Sequence, residues 1–204
     1  MSCLPGLKKQ AVIAAAVALW VPAVGFGIHV LWRYSTTPGN PGTPPLDWPR
    51  SAPIERGRGR ATLVMFAHPQ CPCSRASLGE LGIIMAHARG QLDANVFFYL
   101  PANEASTWVR TDLWQSASAI PGVRAFEDRA AAGALSFGAF TSGQTLLYDS
   151  SGRLLFKGGI TAFRGHSGDN DGRRAITALL QGMSVRQNTL PVVAPVFGCS
   201  LIGE

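Results

Sequence analysis

The sequence predicts an α/β fold: a mixed central sheet flanked by helices, preceded by one transmembrane helix. Three observations predict it. An uncharged apolar run fills residues 11–32. Two short apolar runs, at 61–67 and 94–100, are each followed by a helical stretch. A hairpin signal at 145–159 is followed by one more helix.

The apolar run reads AVIAAAVALWVPAVGFGIHVLW. At ~1.5 Å per residue it reaches roughly 33 Å, enough for a bilayer core. It is too long for a signal-peptide core, and no A-x-A cleavage site follows it. Pro22 is tolerable within such a helix. Lys8 and Lys9 precede the span and Arg33 follows it, so the positive-inside rule expects a cytoplasmic N-terminus. The implied division is a cytoplasmic tail at 1–10, a signal anchor at 11–32, a linker at 33–60 and a domain at 61–204. The expected location is a single-pass membrane protein touching lipid through its first helix. Its domain would face the bacterial periplasm or the cell exterior, leaving Cys3 on the cytoplasmic side.

Residues 35–60 are rich in proline and glycine, which support neither a helix nor a central strand. They read as an extended spacer holding the domain off the membrane. Trp48 either packs on the domain or touches the membrane surface.

In the domain, ATLVMFA at 61–67 is a buried-strand pattern. A helix is expected over 74–89, with Leu78, Leu81, Ile84, Met85 and Ala88 on one stripe and Gly90 ending it. ANVFFYL at 94–100 is a second buried strand, and another helix is expected over 107–119. TLLYD and RLLFKGG flank Ser150-Ser151-Gly152 as a hairpin. Asp169, Asn170 and Asp171 can cap a last helix near 172–181.

The composition excludes several functions. The net charge is +6 but the basic residues are scattered, without the basic face and aromatic platforms of a nucleic-acid binder. Four cysteines are too few for a disulfide scaffold. No Walker, H-E-x-x-H or G-x-S-x-G motif is present. Asp169, Asp171 and Gly172 mimic part of a calcium loop, but Ala178 stands where its bidentate glutamate belongs.

The chemistry therefore falls to Phe66-Ala67-His68-Pro69-Gln70-Cys71-Pro72-Cys73-Ser74, which joins a buried strand to a helix. A cysteine at a helix N-terminus meets unpaired N–H groups and the positive end of the dipole, which favour its thiolate. Pro72 suits the first helical turn. Disulfide exchange requires such a thiolate. Cys71 and Cys73 could instead both hold a soft metal ion, Cu(I) or Zn, with His68 or His166 as a nitrogen donor. Inert core cysteines are the remaining alternative, disfavoured at a turn between two prolines. Cys199 near the C-terminus reads as a resolving cysteine, a third metal ligand or a free thiol.

Strand, short loop, cysteine and helix together resemble thioredoxin-like folds. More narrowly, the domain resembles a bacterial group called RedB-like proteins. The pattern comprises His68-Pro69, Cys71-Pro72-Cys73-Ser74, Ala76-Ser77, Glu80-Leu81, Phe137-Gly138-Ala139 and Thr141-Ser142-Gly143. It continues with Gly158-Gly159-Ile160-Thr161, Arg164-Gly165-His166 and Phe197-Gly198-Cys199. The resemblance implies a thiol–disulfide oxidoreductase needing no cofactor and acting on a protein thiol or disulfide. Cys71 would be its nucleophile and Cys73 its resolving thiol. It also implies that Gly143, Gln144 and Thr145 shape a substrate groove, with Gln144 where the fold usually carries a cis-proline. That departure, and the shortened C-x-C, shift weight toward the alternative, a copper or zinc metallochaperone.

Overall fold

The structure, a computed structural model, describes residues 5–88, 90–182 and 190–201. Cys3 lies outside them. The chain divides into two compact units, residues 1–37 and 38–204.

The first unit is one helix, α1, Pro5–Thr36. Its Lys9–Thr36 portion, with a mean hydropathy of 2.2, is long and apolar enough to cross a membrane. Pro22 lies inside it without ending it. At its end the Thr36 and Thr37 hydroxyls donate to the Trp32 and Arg33 carbonyls, at 2.8 and 2.6 Å. The Arg33 carbonyl also accepts the Thr37 N–H at 3.0 Å, so the hydroxyls add second bonds to the last turn.

The second unit is built on β1 (Ala61–Ala67), α2 (Pro72–Ala88), β2 (Leu92–Leu100), α3 (Asp112–Ser118), β3 (Val123–Arg129) and α4 (Ala132–Ser136). Then come β4 (Thr145–Tyr148), β5 (Leu154–Gly158), α5 (Asp171–Leu180) and β6 (Val192–Val193). The sheet order is β3-β2-β1-β4-β5-β6. β1, β2 and β3 run parallel, and β4 is antiparallel to both β1 and β5.

β1 lies mid-sheet and is buried on both faces, which is why it reads as a continuous apolar run. Leu63, Met65 and Ala67 face a core shared with Leu78, Leu81 and Ile84 of α2, Leu113 of α3 and Ile176 of α5. Val64 and Phe66 face the other core, with Phe97, Ala134, Phe137, Leu146 and Tyr148. Gly90, at φ +79°, follows α2 as expected. Asn170 is the N-cap of α5, its side chain accepting from the Arg173 N–H at 2.7 Å.

The second core is covered by the short α4 and by the proline-rich segment itself. From Pro38 onward the chain does not stand off as a spacer; it lies along the domain as a strap. Gly39 N–H donates to the Val196 carbonyl at 2.8 Å, and Trp48 N–H to the Gly152 carbonyl at 2.7 Å. The Asn40 carbonyl accepts from Thr141 Oγ1 at 2.6 Å, and the Pro45 carbonyl from Tyr148 Oη at 3.1 Å. Proline has no N–H to satisfy, so an extended Pro-rich chain can dock through its carbonyls alone. Trp48 settles on the domain, its ring 5.1 Å from Phe137 and 5.2 Å from Tyr148. Where the strap crosses, Gly42 and Gly138 both have positive φ, and a Cβ on Gly42 would sit 2.0 Å from the Gly138 oxygen.

Candidate functional site

β1 ends at Ala67 and α2 begins at Pro72, so the connecting turn presents Cys71 as the residue before the first helical one. Its carbonyl accepts the first helical N–H, from Arg75 at 3.3 Å. Pro72 occupies the first helical position, where its missing N–H costs nothing. The turn is closed by Ser74, whose Oγ accepts from the His68 N–H at 2.9 Å.

Cys71 does not face Cys73 alone. Its Sγ lies 3.0 Å from Cys199 Sγ, across 128 residues of chain. The Ser142 hydroxyl donates to Cys71 Sγ at 3.7 Å and accepts from the Cys199 N–H at 2.9 Å. The C-terminal segment carrying Cys199 is laced onto the loop before β4. Ser142 N–H donates to the Cys199 carbonyl at 2.8 Å and Leu201 N–H to the Phe140 carbonyl at 2.9 Å. Thr141 and Ser200 form an antiparallel bridge. Gly198 allows the approach, since a Cβ there would meet the Ser142 oxygen at 1.8 Å. Arg164 donates to the Gly198 carbonyl.

This lacing buries the thiols. Cys71 is 3% exposed and Cys73 5%, whereas Cys199 is partly exposed. A turn flanked by prolines pointed to an accessible pair. The structure corrects that, because the distant C-terminal segment folds over the turn. The burial is nonetheless polar: three thiols and a serine hydroxyl share it.

The three thiols titrate as one cluster. The Cys71 pKa is driven far below the ordinary thiol range, first by the hydrogen bond from Cys199, then by that from Cys73. The Ser74 backbone N–H and Ser142 also donate to it, and burial opposes them. The two donors move the other way. Cys73 is pushed up, first by its contact with Cys199 and then by that with Cys71, and Cys199 is pushed up first by Cys71. The Arg164 charge favours the Cys199 thiolate but does not reverse that shift. The directions of these shifts favour the negative charge on Cys71, with Cys73 and Cys199 as its donors.

His68 is placed beside this turn but is committed to packing. Its ring stacks on Tyr99 at 5.8 Å and meets Trp108 edge-on at 5.6 Å, and its Nδ1 accepts from the Gln70 N–H at 3.2 Å. Burial lowers its pKa, against the pull of the Cys71 charge, so the ring is neutral near pH 7. His166 lies exposed on its loop, edge-on to Phe163 at 5.9 Å. Among the described residues, no group of three or more His, Cys, Asp or Glu is placed to hold a metal ion. Two sulfurs on a tetrahedral zinc, each about 2.3 Å from it, stand about 3.8 Å apart. The 3.0 Å contact between Cys71 and Cys199 lies between that spread and a disulfide bond of about 2.05 Å.

Gly143, Gln144 and Thr145 lie beside the turn but are all buried, so they line no open groove. Gly143 N–H donates to the Phe66 carbonyl at 2.7 Å and Phe66 N–H to the Gln144 carbonyl at 2.9 Å, tying β4 to β1. The Gln144 amide is spent on the strap and its own loop, donating to the Pro41 carbonyl and accepting from the Phe140 N–H. Thr145 Oγ1 donates to the Gly143 carbonyl at 3.2 Å. Their bonds in this structure are structural ones, to β1, to the strap and within their own loop.

Sequence reasoning passed over Ser142 as a functional residue, and Glu80, which organises the loop next to the site. Glu80 is 1% exposed on α2 and accepts from the Gly168 N–H, Asn170 Nδ2 and Arg173 Nη1, at 2.7, 3.2 and 2.6 Å. A glutamate inside an otherwise apolar helical stripe was the available signal.

Parallel β1 and β2 around α2, an antiparallel β4–β5 hairpin and a cysteine at the β1–α2 turn define a thioredoxin-like domain. No family model and no curated protein matches the chain. Among solved structures, it is similar to a hypothetical protein from Sinorhizobium meliloti 1021 (TM-score 0.56, 21% identity), covering 78% of this chain and 95% of that one. It is similar as well to an uncharacterized conserved protein from Geobacillus kaustophilus (TM-score 0.53, 15% identity; 83% and 93%). A secreted Mycobacterium tuberculosis disulfide oxidoreductase homologous to E. coli DsbE matches at a TM-score of 0.43 and 12% identity, covering 61% and 83%. At these identities the likeness to the first two is one of fold.

Proposed function

We propose that this protein is a membrane-anchored thiol–disulfide oxidoreductase whose domain works outside the cytoplasm on a protein thiol or disulfide. The observation that carries the reading is the position of Cys71 at the start of α2, its Sγ 3.0 Å from a second sulfur. Exchange needs a stabilised thiolate and a second sulfur in reach, and the helix start at Cys71 and the nearby Cys199 support both. The narrower RedB-like likeness rests on the residue pattern alone. The competing reading is a soft-metal site. Its donors would be Cys71 and Cys73 with His166 or His68, a soft set suited to Cu(I) or zinc, and no such group is assembled among the described residues.

The test uses the full chain in detergent, purified reduced and equilibrated against glutathione couples. Two thiols per chain should disappear and return reversibly, without stoichiometric copper or zinc. Tight Cu(I) binding with no reversible loss of thiols would overturn the oxidoreductase reading in favour of the metal one.

The basic residues before the span support an N-terminus inside and a domain outside. A reporter fused after Thr37, where the first unit ends, should be active only if it is an enzyme that works after export. Activity of a reporter confined to the cytoplasm would reverse the orientation.

A further inference from the structure

We propose that the redox-active disulfide joins Cys71 to Cys199, and that partners exchange through Cys199. This rests on the oxidoreductase reading and reassigns its second sulfur. Three observations carry it.

The first is distance. The 3.0 Å contact is about 1 Å beyond a covalent S–S bond of about 2.05 Å. Cys71 caps α2 and Cys73 lies inside its first turn. The Cys73 thiol also bonds Cys71 Sγ, but it sits within that turn, so closing a Cys71–Cys73 disulfide would distort the start of the helix. A Cys71–Cys199 bond needs only a small closing movement between two segments already tied together through Ser142.

The second is access. Cys71 and Cys73 are buried, and Cys199 is the partly exposed residue of the three. Exchange requires the attacking thiolate to reach a sulfur along the disulfide axis, so the sulfur a partner can reach is Cys199. The Arg164 guanidinium, bonded to the Gly198 carbonyl beside it, supplies a positive charge toward which a thiolate is drawn.

The third is the leaving group. A disulfide opens fastest when the sulfur expelled is the more stable thiolate. The groups that hold the Cys71 thiolate await it: the Ser74 N–H, the Ser142 hydroxyl and the Cys73 thiol. This gives Cys73 a task outside the disulfide, as a hydrogen-bond donor to the departing sulfur.

The exchange runs in two steps. A thiolate of a partner protein dithiol attacks Cys199 Sγ. The Cys71–Cys199 bond breaks, its electron pair leaves on Cys71, and a Cys199–partner disulfide forms. The partner's second thiolate then attacks the partner sulfur in that bond. Cys199 is expelled and takes a proton, and the partner's disulfide closes. Two electrons pass from the partner dithiol to the Cys71–Cys199 disulfide. One of the partner's two protons ends on Cys199 and the other goes to solvent, because Cys71 remains a thiolate. A more oxidising protein disulfide resets the pair by the reverse exchange.

The test maps disulfides in the full chain in detergent. Reduced protein is oxidised with oxidised glutathione, acid-quenched, alkylated, digested and analysed by mass spectrometry. The expected product links the Cys71 and Cys199 peptides and leaves Cys73 alkylated. Cys71→Ser should accumulate a glutathione adduct on Cys199, and Cys199→Ser should lose the reversible disulfide. A dominant Cys71–Cys73 disulfide, or an adduct confined to Cys73, would overturn this pairing while leaving the oxidoreductase reading standing. Absence of any reversible disulfide would overturn that reading itself.

Discussion

Replacing Cys71 with serine is expected to abolish the acid-stable thiolate of the reduced protein while leaving its fold intact. Serine is a favoured helix N-cap, so its Oγ can still accept the Ser74 N–H that Cys71 Sγ accepts now. The charge cannot be replaced in this way. The hydrogen bond from Cys199, followed by that from Cys73, holds the Cys71 pKa far below the ordinary thiol range. An ordinary thiol with a pKa near 8.5 is only about 0.3% ionised at about pH 6. At that pH the reduced wild type should carry one thiolate per chain, and Cys71→Ser almost none, since Cys73 and Cys199 are both shifted upward. The sign of the stability effect follows. Cys71 has a folded value below its unfolded one, so its ionisation stabilises the reduced fold above the unfolded value. That contribution disappears as the pH falls through the folded value. Ultraviolet thiolate absorbance of the full chain in detergent, followed from neutral to acidic pH, is the measurement. Wild-type absorbance that fades in the ordinary cysteine range, or survives in the variant, would refute the thiolate.

Much of this arrangement was legible in local sequence, for physical reasons. β1 and β2 announce themselves because strands buried on both faces are apolar throughout. Cys71 could be placed at a helix start because Pro72 follows it. The cap of α5 was readable from Asn170. β3 was not, because Val123–Arg129 is an edge strand with four charged residues and no clean apolar period. The strap was half legible: its composition dictates an extended chain, but nothing local shows whether that chain has a partner. Its partners, Thr141 and Tyr148, lie 101 and 103 residues away. Cys199 posed the same difficulty at greater range. Its candidacy followed from its chemistry, whereas its contact with Cys71 depends on the tertiary path of the C-terminal segment and on the absence of a side chain at Gly198. The misjudged burial of Cys71 and the misassigned groove at Gln144 share one cause. In both places a segment remote in sequence covers what the local pattern left open.

Glu80→Ala should be the most destabilising single change near the site, lowering the unfolding free energy by about 3–5 kcal/mol. The carboxylate is buried and makes every one of its bonds to the 168–173 segment. Alanine would leave the Gly168 N–H and the Asn170 amide short of an acceptor. It would also strand the Arg173 guanidinium, whose side chain is only 17% exposed, with the exposed Asp169 as its remaining ion-pair partner. Asn170 caps α5 through the Arg173 N–H, so the damage should spread to the start of that helix. Denaturant unfolding of the full chain in detergent, followed by near-ultraviolet circular dichroism, gives the loss. A double-mutant cycle with Arg173→Met then isolates the pair. Once Glu80 is gone, removing Arg173 should cost less than about 1 kcal/mol, because the interaction it made no longer exists. Strict additivity of the two changes, or a Glu80→Ala loss within about 1 kcal/mol, would show that the carboxylate does not organise this loop. The network also bears on the chemistry, since the loop it anchors leads back to Arg164, which bonds the Gly198 carbonyl next to Cys199. Loosening it should therefore raise the rate at which Cys199 is alkylated in the reduced protein, measured under conditions where the domain is still folded.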